Sequence, residues 1–137
     1  MKIRILQNSI RFRLKQPEVA RFNKYGSITE TLEFGSDESE QLHFSLKCCD
    51  DPEINIVKEK NKIIVFVPSN LCLKWINSEM VGFDKNVTAN NGKTIYVLIE
   101  KDFACLDASN EENEGSYPNP LDNCATGTIK SSGNIIL

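Results

Sequence analysis

Apolar and polar residues alternate from the first position onward. Ile3 and Ile5, then Ile10, Phe12 and Leu14, share one face, with Arg4, Arg11 and Arg13 on the other. The pattern predicts half-buried strand over Lys2 to Leu6 and Ser9 to Leu14, read as two segments or as one strand bent at Gln7-Asn8. The period then changes. Val19, Phe22 and Tyr25 recur at helical spacing behind Pro17, and Gly26 supplies a left-handed stop, so a short helix is expected from Pro17 to Tyr25. Alternation returns in Ile28 to Phe34 and in Leu42, Phe44 and Leu46, on either side of an acidic turn at Gly35-Ser36-Asp37.

Ile54 to Val57 and Ile63 to Val67 lie close enough across Glu59-Lys60-Asn61 to form a hairpin ended by Pro68. Leu71, Cys72, Trp75 and Ile76 then form an apolar helical stripe, with Ser69 or Asn70 as its cap and Trp75 packing it onto sheet. Asn91-Gly92 predicts a type I′ turn ahead of the β-rich Thr94 to Ile99, hence a second hairpin. No internal repeat is visible.

Hairpin-length links imply antiparallel neighbours, and no β-α-β alternation intervenes. The expected class is α+β: a mainly antiparallel curved sheet or open barrel with one or two short helices. After Leu106 the period gives way to Asp, Asn, Glu, Ser, Gly and Pro. Residues 1–106 therefore read as one domain, and 107–137 as an acidic tail of loop or partly disordered chain.

Composition narrows the class further. The 137 residues suit one core, and 40% apolar with 26% charged residues is ordinary for a folded soluble protein. No stretch has signal-peptide or membrane-span length. The five cysteines are odd in number and irregularly spaced, which fits reduced thiols in a cytoplasm. Net charge is −3, yet all four arginines lie within the first 21 residues. Pairing between this basic head and the acidic groups downstream is expected, and nucleic acid and membrane are not expected partners.

Chemistry-bearing motifs are few. The phosphate loop, the G-x-S-x-G elbow, H-E-x-x-H and paired C-x-x-C are missing. His43, the single histidine, excludes a multi-His metal site by count and is expected at the surface, without a triad role. Cys48 and Cys49 point to opposite faces of a strand and read as structural, and Cys72 reads as core. Asn8, Arg11 and Arg13 gather where the chain turns, and arginines two apart on a strand share a face. That arrangement suits a phosphate or carboxylate ligand, or else ion pairs with Glu100 and Asp102, which with Lys101 end the last strand. Cys105 and Cys124 bracket Asp107 and Glu111, a thiolate and carboxylate set that a divalent metal such as zinc would accept.

Three stretches carry a resemblance: Lys2-Ile3-Arg4-Ile5 with Asn8-Ser9-Ile10-Arg11, Arg13-Leu14 and Glu18-Val19; Val81-Gly82-Phe83-Asp84; and Glu100-Lys101-Asp102-Phe103 with Cys105-Leu106-Asp107, Tyr117, Asn119-Pro120 and Cys124. Together they resemble a family of short uncharacterised bacterial proteins grouped as a domain of unknown function. The resemblance implies no activity. It implies that Asn8, Arg11, Lys101, Asp102 and Cys105 belong to a shared pattern. Similar chains carry Asp where this one has Gly115, which weakens an acidic metal site there.

The expected function is a small cytoplasmic binding or interaction module, with a protein or a small anionic ligand as partner. The alternatives are a metal-binding protein using Cys105, Asp107, Glu111 and Cys124, and an enzyme on a small anionic substrate with Asp102 as general base.

Overall fold

The structure is a computed structural model and describes residues 1–104 and 110–119. The chain runs β1 (Lys2–Leu6), β2 (Ser9–Leu14), α1 (Gln16–Tyr25), β3 (Ser27–Glu33), β4 (Gln41–Cys49), β5 (Asn55–Glu59), β6 (Lys62–Pro68), α2 (Ser69–Ile76), β7 (Gly82–Thr88), β8 (Thr94–Lys101) and α3 (Asn110–Asn113). The strands form two four-stranded sheets, ordered β1-β2-β8-β7 and β3-β4-β6-β5. This corrects the single curved sheet or open barrel read from sequence. The pairing is mainly antiparallel, as expected, but at the centre of each sheet β2 pairs with β8, and β4 with β6, in parallel. Hairpin links fix only the pairing of strands adjacent in sequence; they carry no signal for how one hairpin joins another.

Local chemistry explains the elements. Gln7 (φ 47°) and Asn8 (φ 60°) both adopt positive φ, so β1 and β2 meet in a two-residue hairpin and are not one bent strand. In α1, Pro17 lies in the first turn and the Glu18 carboxylate accepts the Lys15 N–H at 2.8 Å. Gly26 (φ 72°) ends the helix by donating its N–H to the Phe22 carbonyl. Ser69 does not cap α2; its hydroxyl donates to the Cys49 carbonyl at 2.9 Å and ties the helix start to β4. The β7–β8 link is also different from the expected type I′ pair. Gly92 (φ 83°) donates its N–H to Ala89, and Ala89 donates to the Lys93 carbonyl. The result is a three-residue loop with one left-handed glycine.

An internal repeat, invisible in sequence, emerges from the pairing. Adding 53 to each position carries Lys2↔Arg13 of β1–β2 onto Asn55↔Phe66 of β5–β6. The same shift carries the parallel pair Ser9↔Tyr96 onto Lys62↔His43, with the strands exchanging roles. Each half is thus hairpin, helix, hairpin, and each sheet joins the first hairpin of one half to the second hairpin of the other. Asn8 and Asn61 sit at equivalent turns. The Asn8 side chain donates to the Thr94 carbonyl at 2.7 Å and its carbonyl accepts Tyr96 N–H; Asn61 donates to Gln41 at 2.7 Å and accepts His43 N–H. Both asparagines set the register of a parallel pair.

One core fills the space between the elements, built from the inner faces of both sheets and from Val19, Phe22, Cys72 and Trp75 of the helices. Phe22 and Trp75 occupy equivalent positions and meet edge to face at 6.5 Å. Trp75 also meets Phe83 at 5.5 Å and donates its indole N–H to the Val81 carbonyl.

Residues 110–119, grouped with the tail by composition, pack on the end of β8. Tyr117 donates its N–H to Asp102, Ala104 donates to Tyr117, and Gln16 donates to the Gly115 carbonyl. Phe103 and Tyr117 form an isolated bridge with their rings 5.8 Å apart. No described helix is long and apolar enough to cross a membrane.

Candidate functional site

The pairing register of the first sheet arranges its outward side chains in rows. One row reads Lys2, Arg13, Glu100 and Gly82; the next Arg4, Arg11, Leu98 and Asp84; the third Leu6, Ser9, Tyr96 and Asn86. Four cations of the N-terminal hairpin therefore lie beside the carboxylates of β7 and β8. Glu100 is fully buried although it is on the outer face. Its Oε1 accepts the Arg13 Nε–H at 2.9 Å, and Arg11 Nε lies 3.5 Å away. Burial of this carboxylate is tolerable because two guanidinium groups close over it.

Gly82, opposite Glu100, has no space for a side chain. A Cβ there would meet the Ile99 carbonyl oxygen at 2.5 Å and Glu100 Cβ at 2.8 Å. Asp84 accepts the Tyr96 hydroxyl at 2.6 Å. Burial, and then the hydrogen bond and charge of Asp84, push the Tyr96 phenol above its ordinary value. Tyr96 therefore stays a protonated donor at neutral pH.

Between these rows is a cleft of about 220 Å³ lined by Arg4, Leu6, Ser9, Ile10, Arg11, Tyr96 and Leu98. Its floor is apolar through Leu98, and two guanidinium groups flank it. Arg4 is exposed, faces Arg11 in the register, and has no ion-pair partner among the described residues.

The residues singled out by sequence divide over several places. Arg11 and Arg13 do share a face, and their pairing with Glu100 is the ion-pair alternative considered for them. Asp102 forms an ion pair with Lys2, whose ammonium lies 3.0 Å from its Oδ2, at the end of that face. Asn8 is a turn residue whose side chain holds β8, as described above. Lys101 points to the opposite face, where its ammonium donates to the Ser78 carbonyl at 2.8 Å and lies 5.4 Å from the Tyr117 ring centre. Burial lowers its pKa below the ordinary lysine value. It lines a separate cavity of about 510 Å³ with Gln16, Glu79, Phe103 and Tyr117. Of the metal candidates, Glu111 is exposed on α3, while Cys105, Asp107 and Cys124 lie outside the described residues. Among the described residues no group of three His, Cys, Asp or Glu side chains is placed to hold a metal.

Sequence reasoning missed Arg4 and Tyr96. Arg4 had a signal, the same alternation that exposes Arg11 and Arg13; Tyr96 had none, because only the parallel β2–β8 pairing brings it beside them. His43 has more partners than expected: Nδ1 meets Thr31 Oγ1 at 2.8 Å and Nε2 meets Glu38 Oε1 at 2.7 Å. The hydrogen bond from His43 lowers the Glu38 pKa. Hydroxyl, imidazole and carboxylate in sequence are the connectivity of an acyl-transfer triad. These three line none of the cavities described here, and Glu38 and Thr31 are exposed.

Fold and site define a two-sheet α+β domain with a guanidinium-flanked cleft on one sheet. The chain belongs to a family of unknown function (DUF7009), which matches residues 1–121 and so takes in the packed segment 110–119. No curated protein and no solved structure matches it.

Proposed function

We propose that the protein is a bacterial cytoplasmic binding module that holds a small carboxylate ligand in the cleft between Arg4, Arg11 and Tyr96. One observation carries the reading: Arg4 is without an ion-pair partner among the described residues, yet it stands across from Arg11 over an apolar floor. A guanidinium in that position offers a planar pair of donors to a carboxylate. Leu6 and Leu98 take the ligand's apolar body, and the Ser9 and Tyr96 hydroxyls define the polar rim. Glu100 neutralises Arg13 and part of Arg11, which leaves Arg4 as the group whose charge the ligand balances. Catalysis is not part of the proposal, because the one carboxylate considered as a base, Asp102, is engaged with Lys2.

Titration of isotope-labelled full-length protein with benzoate, and with benzamide as the uncharged match, tests the reading. Saturable amide shifts at Arg4, Arg11 and Tyr96 are expected with benzoate alone, and are lost in Arg4→Ala. Equal shifts with benzamide, or shifts that never saturate, refute it.

A further inference from the structure

Cys48 and Cys72 are 24 residues apart in sequence, on β4 and on α2, and their sulfurs are 2.9 Å apart. The Cys48 thiol donates to the Cys72 sulfur, and the Cys72 thiol points at the Val67 carbonyl at 3.7 Å. Two sulfurs this close are inside van der Waals contact, and closing to a bond of about 2.05 Å needs a movement of about 1 Å. The two also differ in access. Cys72 is buried among core residues while Cys48 is half-buried, so a small oxidant meets Cys48 first. Cys49, its neighbour, lines a different surface, a cavity of about 680 Å³ shared with Asp50, Asp51 and Lys74.

We propose that Cys48 and Cys72 form a redox-responsive dithiol site that a hydroperoxide closes to a disulfide. The Cys48 thiolate attacks the terminal peroxide oxygen, the O–O bond breaks, and the alkoxide or hydroxide leaves with a proton as alcohol or water. Cys48 becomes a sulfenic acid. The Cys72 sulfur then attacks Cys48, the S–S bond forms, the S–O bond breaks, and hydroxide leaves with the Cys72 proton as water. Two thiols lose two electrons and one hydroperoxide gains them. Burial, and then the hydrogen bond with Cys48, push the Cys72 thiol up, so Cys72 keeps its proton until Cys48 has become electrophilic. Intramolecular contact compensates for its low thiolate fraction. A transient disulfide of this kind suits a reducing compartment, where persistent ones do not form.

The closed site would fix α2 to β4. The segment that follows α2 carries the Ser78 carbonyl that holds Lys101 and the Val81 carbonyl that holds Trp75. Oxidation would therefore stiffen the joint between the halves.

Hydrogen peroxide treatment of the full chain, followed by alkylation under denaturing conditions and non-reducing peptide mapping, tests the proposal. A linked Cys48–Cys72 peptide that dithiothreitol reverses is expected. It should persist in Cys49→Ser and disappear in Cys48→Ser, whose site is half-buried and tolerates the change. The proposal is overturned if Cys48 and Cys72 both remain alkylatable, if Cys48 gains oxygen without the link, or if the link uses Cys49.

Discussion

The first and second sheets follow one plan, and the shift of 53 residues allows them to be compared position by position. Where the first sheet has Arg11, Arg13, Leu98, Glu100 and Asp102, the second has Ile64, Phe66, Ser45, Lys47 and Cys49. The outer face of the first is an ionic lattice around a buried carboxylate. On the second, Ile64 is buried, Ser45 bonds Thr29 at 2.7 Å, and the polar chain Thr31–His43–Glu38 is at the solvent edge. The inner faces do not diverge in this way: Ile10 and Ile63, Phe12 and Val65, Leu14 and Val67, Ile99 and Leu46 are all apolar. Topology constrains what faces the shared core. The outer faces are free to differ, and that is where the two sheets acquire separate chemistry.

The core positions give the largest expected effect and test whether the halves are equal there. Trp75→Ala should lower unfolding free energy by about 4 kcal/mol and Phe22→Ala by about 3. Because the rings touch, the double substitution should cost less than the sum. Urea denaturation of the three variants measures this, and strict additivity would mean the two helices are not coupled.

The ionic lattice should show the sharpest asymmetry. Glu100→Ala uncovers Arg11 and Arg13 and should destabilise by about 3 kcal/mol, whereas Lys47→Ala, at the equivalent exposed position, should stay within about 0.5 kcal/mol. Similar losses at both positions would remove the distinction between the sheets.

The turn asparagines give a smaller contrast. Asn8→Ala loses a hydrogen bond and forces alanine to positive φ, a cost of about 2 kcal/mol; Asn8→Gly relieves the backbone part and should lose about 1. Asn61 is not at positive φ. Asn61→Gly should therefore be no better than Asn61→Ala in the same denaturation assay. Recovery by glycine at both turns would mean that backbone strain, and not the side-chain bond, dominates both.

The smallest effect concerns Lys101, whose counterpart in the other half is Cys48. Its folded pKa is depressed below 10.5 by burial, so between the two values the unfolded chain holds more protons and stability rises with pH. The penalty is fully present below the folded value and gone above the unfolded one. Tyr96 and Tyr117, both raised above 10.0, act in the opposite sense once the pH passes that value. Subtracting the stability profile of Lys101→Met isolates the lysine, and the difference should move in favour of the native chain as the pH rises toward 10.5. A flat difference would show that Lys101 is charged equally in both states.

Much of this could be read from residues alone. Val19, Phe22 and Gly26 marked α1, and the alternation of Ile10, Phe12 and Leu14 marked a buried strand face, because those periods are local properties of backbone geometry. The motif Val81-Gly82-Phe83-Asp84 was visible but mute. In the structure Val81 receives Trp75, Gly82 clears space beside Glu100, Phe83 packs on Trp75 and Asp84 holds Tyr96. Each of these contacts joins α2 to the strand that follows it or β7 to β8, so no periodicity within a single element could announce them. The cleft was half legible for the same reason: Arg4 and Arg11 share the predicted outward face, but Tyr96 and Leu98 arrive from β8. The thiol pair was less legible still, since Cys48 and Cys72 were each assigned to packing in isolation.

The sequence by itself determined the strand and helix segments, the hairpins between neighbours and the α+β class, since side-chain period and turn conformation are set within a few residues. Tertiary structure alone decided that there are two sheets, that β2 and β8 and likewise β4 and β6 run parallel, and that Glu100 lies buried under two arginines. Those outcomes depend on which hairpin meets which across the core, a choice made by the packing of whole apolar faces and by two turn asparagines that bind distant strands.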